Sequence, residues 1–162
     1  MTATPFNASR PKTSLPEIEA SVGMEVGLSR WFTIDQALIT AFGKLTQDEY
    51  FIHMDPARAA KETPFGGSIA HGFLTLSMLS AMAYDALPEV DVRTMGMNYG
   101  FDKIRFLSPV PAGSKVRAHF VISQVEKKSP QQVVVRYAVS VEIEGKPKPA
   151  LSAEWLTVAF FG

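Results

Sequence analysis

The chain contains no cysteine and carries no net charge, with 16 basic and 16 acidic residues. The first absence excludes a disulfide framework, a thiolate nucleophile and a thiolate-bound metal. The second removes the basic excess with which a nucleic-acid-binding protein displaces counterions, so no nucleic-acid partner is expected. It equally gives no support for binding to a membrane surface.

The chain also lacks a signal segment and an uninterrupted hydrophobic run. Its N-terminus has no basic stretch followed by an apolar core, which predicts a cytoplasmic protein. Residues 63–84 contain no Asp, Glu, Lys or Arg, but Pro64 and several glycines interrupt them. The remaining apolar part is about 13 residues long, whereas a membrane span needs ~20. A helix buried in a globular core is therefore predicted.

The length of 162 residues predicts one domain. Residues 1–16 hold three prolines and many small polar residues, which is typical of an extended arm. We therefore assign residues 1–16 to an N-terminal arm and residues 17–162 to a single domain.

The first part of this domain has helix-start signals. A short strand is expected over residues 25–32. Thr33 and Gln36 have the spacing of a capping box, and apolar residues at helical spacing follow, which predicts a helix over residues 34–45.

Two further helices are predicted. Asp55 followed by Pro56 is typical of an N-cap and first helical position, and it predicts a helix over 56–62. A third helix, over 72–86, is apolar nearly all round and should be surrounded by protein.

After Pro88 the hydrophobic period changes to two, which is the period of half-buried strands. Strands that follow one another should form an antiparallel meander with the helices on one face, an α+β fold. The four predicted strands lie near residues 94–107, 116–122, 133–143 and 151–159.

Asp48 and His53 are the candidate catalytic residues. An aspartate and a histidine together can hold one water and carry out the two proton transfers that add water to a conjugated carbonyl. Gly72, at the start of the third helix, could offer its N–H to the carbonyl oxygen. On a regular helix Asp48 and His53 would lie about 140° apart. They converge only if the chain leaves the helix between them, which the cap at Asp55 supports.

Simpler interpretations exist for each of these residues. An aspartate and a histidine in a loop are more often surface or capping residues. His71 is interpreted as a structural hydrogen-bonding residue, and His119 as a solvated one. No group of acidic and histidine residues has metal-ligand spacing, so no metal is expected.

The first half of the chain contains Asp48-x4-His53-x-Asp55-Pro56-x-Arg58-Ala59 and Phe65-Gly66-Gly67-x-Ile69-Ala70-His71-Gly72-x-Leu74-Thr75-Leu76. These two stretches together resemble the MaoC-like dehydratases, also called (R)-specific enoyl-CoA hydratases. A downstream stretch, Asn98-Tyr99-Gly100-x-Asp102-Lys103-x-Arg105-Phe106-x-Ser108-Pro109-Val110-Pro111-x-Gly113, resembles the branch typified by nodulation protein N.

The resemblance implies a single hot-dog domain, in which a curved antiparallel sheet wraps around a long buried helix. It also implies a homodimer with active sites near the subunit interface. The implied reaction is the reversible hydration of a trans-2-enoyl-CoA to an (R)-3-hydroxyacyl-CoA. In it Asp48 and His53 activate the water, and the Gly72 amide polarises the thioester carbonyl. No cofactor is implied, because CoA is part of the substrate.

Substrate-binding residues also follow from the resemblance. Ser80 falls where some members place a polar residue near the catalytic pair. Lys103 and Arg105 are candidates for contacting the CoA phosphates, with a strand-face or packing role as an equal alternative.

The chain departs from the common hydratase pattern inside the motif. Many members have Gly before the Asp, and Asn-Pro two and three positions after it, where this chain has Gln47, Tyr50 and Phe51. Tyr50 could narrow the pocket or add a hydroxyl donor, and Phe51 suits the nodulation-protein branch. Both are therefore candidate substrate-binding residues.

Two other functions stay open. One is a hot-dog thioesterase that uses a carboxylate to cleave an acyl-CoA, which the Asp48–His53 pair opposes. The other is a non-catalytic dimer that binds acyl-CoA or an acyl-carrier protein, which the intact Asp48, His53 and Gly72 oppose. The sequence leaves open the acyl group, the direction of reaction, and whether CoA or a carrier protein bears the thioester.

Overall fold

The computed structural model describes residues 10–162, which form a mixed fold of helices and a largely antiparallel sheet. The strands in this part of the chain are β1 Lys12–Thr13, β2 Glu25–Leu28, β3 Phe32–Ile34, β4 Glu89–Val90, β5 Arg93–Phe106, β6 Ser114–Ser129, β7 Gln132–Ile143 and β8 Leu151–Phe161. The helices are α1 Leu15–Ala20, α2 Gln36–Thr46, α3 Phe51–Met54, α4 Pro56–Glu62, α5 Gly72–Ser77 and α6 Leu79–Ala86. The predicted α+β class is confirmed.

The main sheet has the strand order β2-β6-β7-β8-β5, and β3 pairs with β6 beyond the end of β2. Its pairs are all antiparallel. Inward-facing apolar side chains alternate along the central strands, so one face of the sheet packs against the helices. This face buries Val116, Phe120 and Ile122 of β6 together with Val139 and Val141 of β7.

The predicted meander is correct for β6, β7 and β8 but wrong for β5. β5 pairs with β8, at the far edge of the sheet from β6. The connection 107–113 is too long for a tight hairpin and contains two prolines, so it does not require β5 and β6 to be neighbours in the sheet. This connection instead runs past the start of α5, where Ala70 N–H donates to the Val110 carbonyl at 2.8 Å.

The predicted third helix is present as two segments, α5 and α6, that meet at Met78. Met78 keeps right-handed helical dihedrals, φ −67° and ψ −15°, and the Met82 N–H still donates to its carbonyl at 3.0 Å. The two segments therefore act as one nearly continuous rod. Leu74, Leu79 and Met82 are buried, but Phe73 is 65% exposed. In the single chain this rod is consequently uncovered on one side, contrary to the prediction.

Three local predictions in the N-terminal part need correction. The predicted strand over 25–32 is divided into β2 and β3. The predicted capping box is wrong, because Thr33 lies in β3 and Asp35 caps α2 by accepting from the Leu38 N–H at 2.8 Å. Residues 1–9 of the predicted arm lie outside the described residues. From Lys12 onward it contains β1 and the start of α1, whose capping box sequence analysis missed. The domain boundary at residue 16 stays a prediction.

The signals around Asp55 were interpreted correctly. The Asp55 carboxylate accepts from the Arg58 N–H at 2.9 Å, and Pro56 is the first residue of α4. None of the helices within residues 10–162 is both long enough and apolar enough to cross a membrane.

Candidate active site

The chain leaves the helical conformation between Asp48 and His53, as the sequence predicts. α2 ends at Thr46, and Gln47 adopts a left-handed conformation with φ 61°. A left-handed residue just after a helix turns the chain away from the helix axis. His53 lies in the short helix α3, which ends where Asp55 caps α4.

This path brings the side chains of Asp48, His53 and His71 together. One nitrogen or oxygen atom from each of the three lies within 4.8 Å of the others. His53 and His71 are buried, at 9% and 2% exposure, whereas Asp48 is exposed. The structure thus assembles the predicted pair and adds a second histidine, while the catalytic roles stay a prediction.

His53 is fixed in one tautomer by its surroundings. Its Nδ1 lies 2.7 Å from the Ile69 carbonyl oxygen, which only accepts, so Nδ1 carries the proton and Nε2 has the free lone pair in the neutral ring. Burial lowers the pKa of His53 below its ordinary value of 6.5, and His71 adds to the lowering. The hydrogen bond to Ile69 and the charge of Asp48 oppose it. The neutral ring is therefore favoured, with Nε2 able to take a proton.

His71 supports both members of the pair. Its Nε2 donates to the main-chain carbonyl of Asp48 at 2.9 Å, and its ring stacks on His53 with 3.8 Å between centroids. Its Nδ1 is buried and has no hydrogen-bond partner among the described residues. The interpretation of His71 as a structural residue agrees with these contacts, which hold the backbone at Asp48 and the ring of His53.

The three side chains fit a metal ion poorly despite their proximity. Nδ1 of His53 and Nε2 of His71 are each bonded to a carbonyl oxygen. The rings are stacked, with 3.8 Å between centroids and planes 29° apart, so one ion cannot lie in both ring planes at bonding distance. Zinc needs each nitrogen at roughly 2.0–2.1 Å along its lone pair. The arrangement is better suited to a water molecule shared between Asp48 and His53.

Gln36 connects the two segments that hold His53. Its side-chain amide nitrogen donates to the His53 carbonyl at 2.8 Å, and its amide oxygen accepts from the Ser68 hydroxyl. Ser68 directly precedes Ile69, whose carbonyl holds the His53 ring. Gln36 therefore fixes both the main chain of His53 and the loop that orients its imidazole.

A cavity of about 270 Å³ lies beside the cluster. His53, Thr75 and Gly72 line it, together with Phe106 and residues of the 107–113 connection. Gly72 is the first residue of α5, so its N–H has no acceptor within the helix. A Cβ at Gly72 would lie 3.0 Å from the Phe106 ring, so a side chain would displace this wall. The Gly72 N–H is thus an available donor in the same cavity as His53.

A second cavity, of about 300 Å³, lies farther along the helical rod. The predicted site residue Ser80 lines this cavity and does not line the one that contains His53. Ser80 follows Gly72 by eight residues, about 12 Å of helix, and lies near the middle of the rod. Its role near the catalytic pair, which the resemblance suggested, stays a prediction.

The other four predicted substrate-binding residues line neither cavity. Tyr50 is 59% exposed and packs edge-on against Phe51, and the Arg58 guanidinium lies 4.1 Å above the Phe51 ring. Lys103 pairs with Glu154 at 3.2 Å.

Arg105 is exposed, and its guanidinium donates to the Ile104 carbonyl at 2.8 Å. The substrate-binding roles of Tyr50, Phe51, Lys103 and Arg105 stay predictions.

Sequence analysis missed two residues that shape the site. Gln36 was interpreted as a capping residue, and its partners lie 17 and 32 positions away, beyond any local pattern. Gly43 lies inside α2, where a Cβ would be 2.7 Å from the Met54 sulfur and 3.0 Å from the Asp48 carbonyl. A glycine within a helical pattern costs about 1 kcal/mol relative to alanine, which was the available signal of a close approach.

These features define an α+β domain with an Asp–His cluster at the start of its central helical rod. The family model described as "MaoC like domain" matches residues 17–143. The chain belongs to the MaoC-like domain family.

The relatives agree with this assignment. Nodulation protein N of Rhizobium leguminosarum bv. viciae is 49% identical over 148 residues, covering 91% of this chain and 92% of that protein. The 3-hydroxyacyl-thioester dehydratase Z of Mycobacterium tuberculosis is 41% identical over 141 residues, covering 87% and 92%. The solved (R)-hydratase from A. caviae involved in PHA biosynthesis superposes with a TM-score of 0.69 at 25% identity, covering 84% and 94%. The predicted hot-dog fold is confirmed.

Proposed function

We propose that this protein is a hydro-lyase that reversibly hydrates a trans-2-enoyl-CoA to an (R)-3-hydroxyacyl-CoA. The observation that carries the proposal is the convergence of Asp48 and His53 next to a cavity into which Gly72 brings a free helix N–H. The kinship with proteins named hydratase and thioester dehydratase supports the same class of reaction.

In the proposed reaction each group has a chemical role. Asp48 and His53 hold a water between them, and one of the two takes its proton as oxygen bonds to C3 of the substrate. The electron pair of the C2=C3 bond moves to the thioester oxygen, where the Gly72 N–H stabilises the developing charge. A proton from the Asp48–His53 pair then reaches C2, which restores the carbonyl. Dehydration runs through the same steps in reverse.

The helical rod supports a path for the acyl chain. With the thioester carbonyl at Gly72, a chain that follows the rod reaches the second cavity, which Ser80 and Ala83 line. We therefore assign the acyl group beyond C3 to this second cavity.

The exposed apolar surface supports the predicted homodimer. β5 is an edge strand that pairs only with β8 among the described strands, and Met95, Met97 and Tyr99 on it are 48–62% exposed. Phe73 on the uncovered side of the rod packs edge-on against Phe106 at the end of β5. An apolar surface of this kind on a free edge is typical of a subunit interface. A cytoplasmic location and CoA as the thiol carrier remain predictions.

The test is an assay with trans-2-enoyl-CoA thioesters of several chain lengths. Loss of the conjugated chromophore without release of free thiol is the expected result. Thiol release without hydration would replace the proposal with a thioesterase. Tight binding with neither reaction, across all chains, would replace it with a binding dimer.

Two variants test the assigned residues. Asp48→Asn and His53→Ala should each lower kcat by about 10²–10⁴-fold, the usual contribution of a general acid or base. Size-exclusion chromatography should show an unchanged oligomer. Near-normal turnover by either folded variant would contradict the site assignment.

A further inference from the structure

We propose that the acyl group of the natural substrate carries an oxygen atom far from the thioester, which hydrogen-bonds to the Tyr137 hydroxyl in the second cavity. This inference rests on the proposed function and on the assignment of the acyl chain to that cavity. It names the substrate class as oxygenated acyl thioesters, as opposed to plain alkyl ones.

The walls of the second cavity are suited to a hydrocarbon chain. Val26, Ala83, Leu87 and Val158 line it. Its volume of about 300 Å³ is in the range of small-molecule sites. These side chains explain binding of an acyl chain but not selection of one kind of chain.

The same cavity contains a hydrogen-bond donor that the protein leaves unused. Tyr137, 8% exposed, lines the cavity, and its hydroxyl has no hydrogen bond within residues 10–162. The indole N–H of Trp155 also lacks an acceptor among the described residues, but its nitrogen is completely buried and does not open to the cavity. Burial raises the pKa of Tyr137 to about 12, so its hydroxyl keeps its proton and can donate.

A cation accompanies the Tyr137 hydroxyl. Arg93 lines the cavity and lies close enough to Tyr137 to oppose the rise of its pKa. Arg93 has no ion pair with a carboxylate in the described part of the chain. The charge therefore favours an oxygen acceptor, and a carboxylate most of all.

A plain alkyl chain would leave the Tyr137 hydroxyl without a partner. A buried donor that loses its water and gains no acceptor carries an appreciable penalty. An oxygen on the chain removes that penalty by accepting from the phenol. Affinity should consequently favour an oxygenated chain by about tenfold over an alkyl chain of matched length.

The experiment measures binding of saturated acyl-CoA thioesters, which cannot be hydrated. Calorimetry compares chains that end in methyl, hydroxyl or carboxylate, matched in length over a series of lengths. The expected result is a Kd about tenfold lower for a hydroxyl or carboxylate chain at the length that reaches Tyr137. Equal or weaker binding of both oxygenated series at every length would overturn the inference.

Matched variants locate the preference. Tyr137→Phe removes only the hydroxyl and should bring the ratio of the two Kd values toward one, and Arg93→Gln should do so for the carboxylate chain. Trp155→Phe removes the completely buried indole N–H but keeps an aromatic ring against Phe101, and as the control it should keep the preference. Circular dichroism checks that each variant is folded. A full preference in the folded Tyr137→Phe and Arg93→Gln variants would overturn the inference.

This design separates the inference from the proposed function. Selective binding of oxygenated chains without hydration of the corresponding enoyl-CoA would refute the hydratase and leave the inference standing. Hydration of the enoyl-CoA without any preference among chains would support the hydratase and overturn the inference.

Discussion

The central strands and the site segment, residues 46–72, are held by different kinds of interaction. In β6, β7 and β8, apolar side chains such as Ile122, Val141 and Leu151 are completely buried and face the helices. In the site segment, caps and main-chain hydrogen bonds position polar groups, as at Asp55 and Ile69. We infer that apolar burial in the strands supplies most of the folding free energy, whereas a few polar contacts set the geometry of the candidate site.

The largest effect on stability is expected from truncation in the strands. Ile122→Ala should lower the free energy of unfolding by about 2–5 kcal/mol, because it removes apolar contacts and leaves a cavity. Urea denaturation measures this change. The exposed neighbour Gln124→Ala should stay within about 0.5 kcal/mol of wild type. An equal loss of unfolding free energy in both variants would contradict the inference that buried strand side chains supply the stability.

Removal of a polar contact in the site should mainly lower activity, whereas truncation in the strands mainly lowers stability. Gln36→Leu keeps the side-chain size but removes the donor to the His53 carbonyl and the acceptor for Ser68. We expect kcat to fall about 10–100-fold, since small displacements of catalytic groups have such costs. NMR of the His53 ring nitrogens should show that the Nδ1–H tautomer is less populated.

The matched control for Gln36 is Thr40→Val. It removes only the contact between the Gln36 amide nitrogen and the Thr40 hydroxyl, at 3.2 Å. Normal kcat is expected in this variant. An unchanged kcat and tautomer in Gln36→Leu would show that the contact is merely structural.

The lowered pKa of His53 predicts a pH signature. The acidic limb of kcat/KM should fall below the ordinary histidine value of 6.5, because the neutral ring persists to lower pH. The unfolded chain binds the proton more tightly than the folded one, so stability should fall as pH drops from 6.5 through the folded pKa. An NMR titration of His53 checks both. A midpoint at or above 6.5 would contradict the prediction.

The smallest effect is expected at Gln47, whose φ of 61° favours glycine. Gln47→Gly should raise the free energy of unfolding by about 0.5–1 kcal/mol, because it relieves left-handed strain. Glu49→Gly, at an exposed neighbour without a positive φ, should instead be neutral or destabilising. A stabilisation of the same size in both would show that the conformation of Gln47 is not its cause.

The parts of the fold set by local pattern were predictable. Period-two alternation located β5 to β8, and the cap at Asp55 indicated the break that brings Asp48 toward His53. The partner of β5 was not predictable, because a long connection leaves strand pairing to packing across the whole domain. The role of Gln36 was hidden for the same reason, since its side chain joins segments distant in sequence.

Phe106 links the free edge of the sheet to the cavity that contains His53. It ends β5, and its ring lies 3.0 Å from the position that a Cβ on Gly72 would take. A change of sequence on this edge that moves the ring also reshapes the wall of that cavity. The edge and the cavity therefore cannot diverge independently: in the proposed hydratase, variation in assembly is also variation in substrate fit.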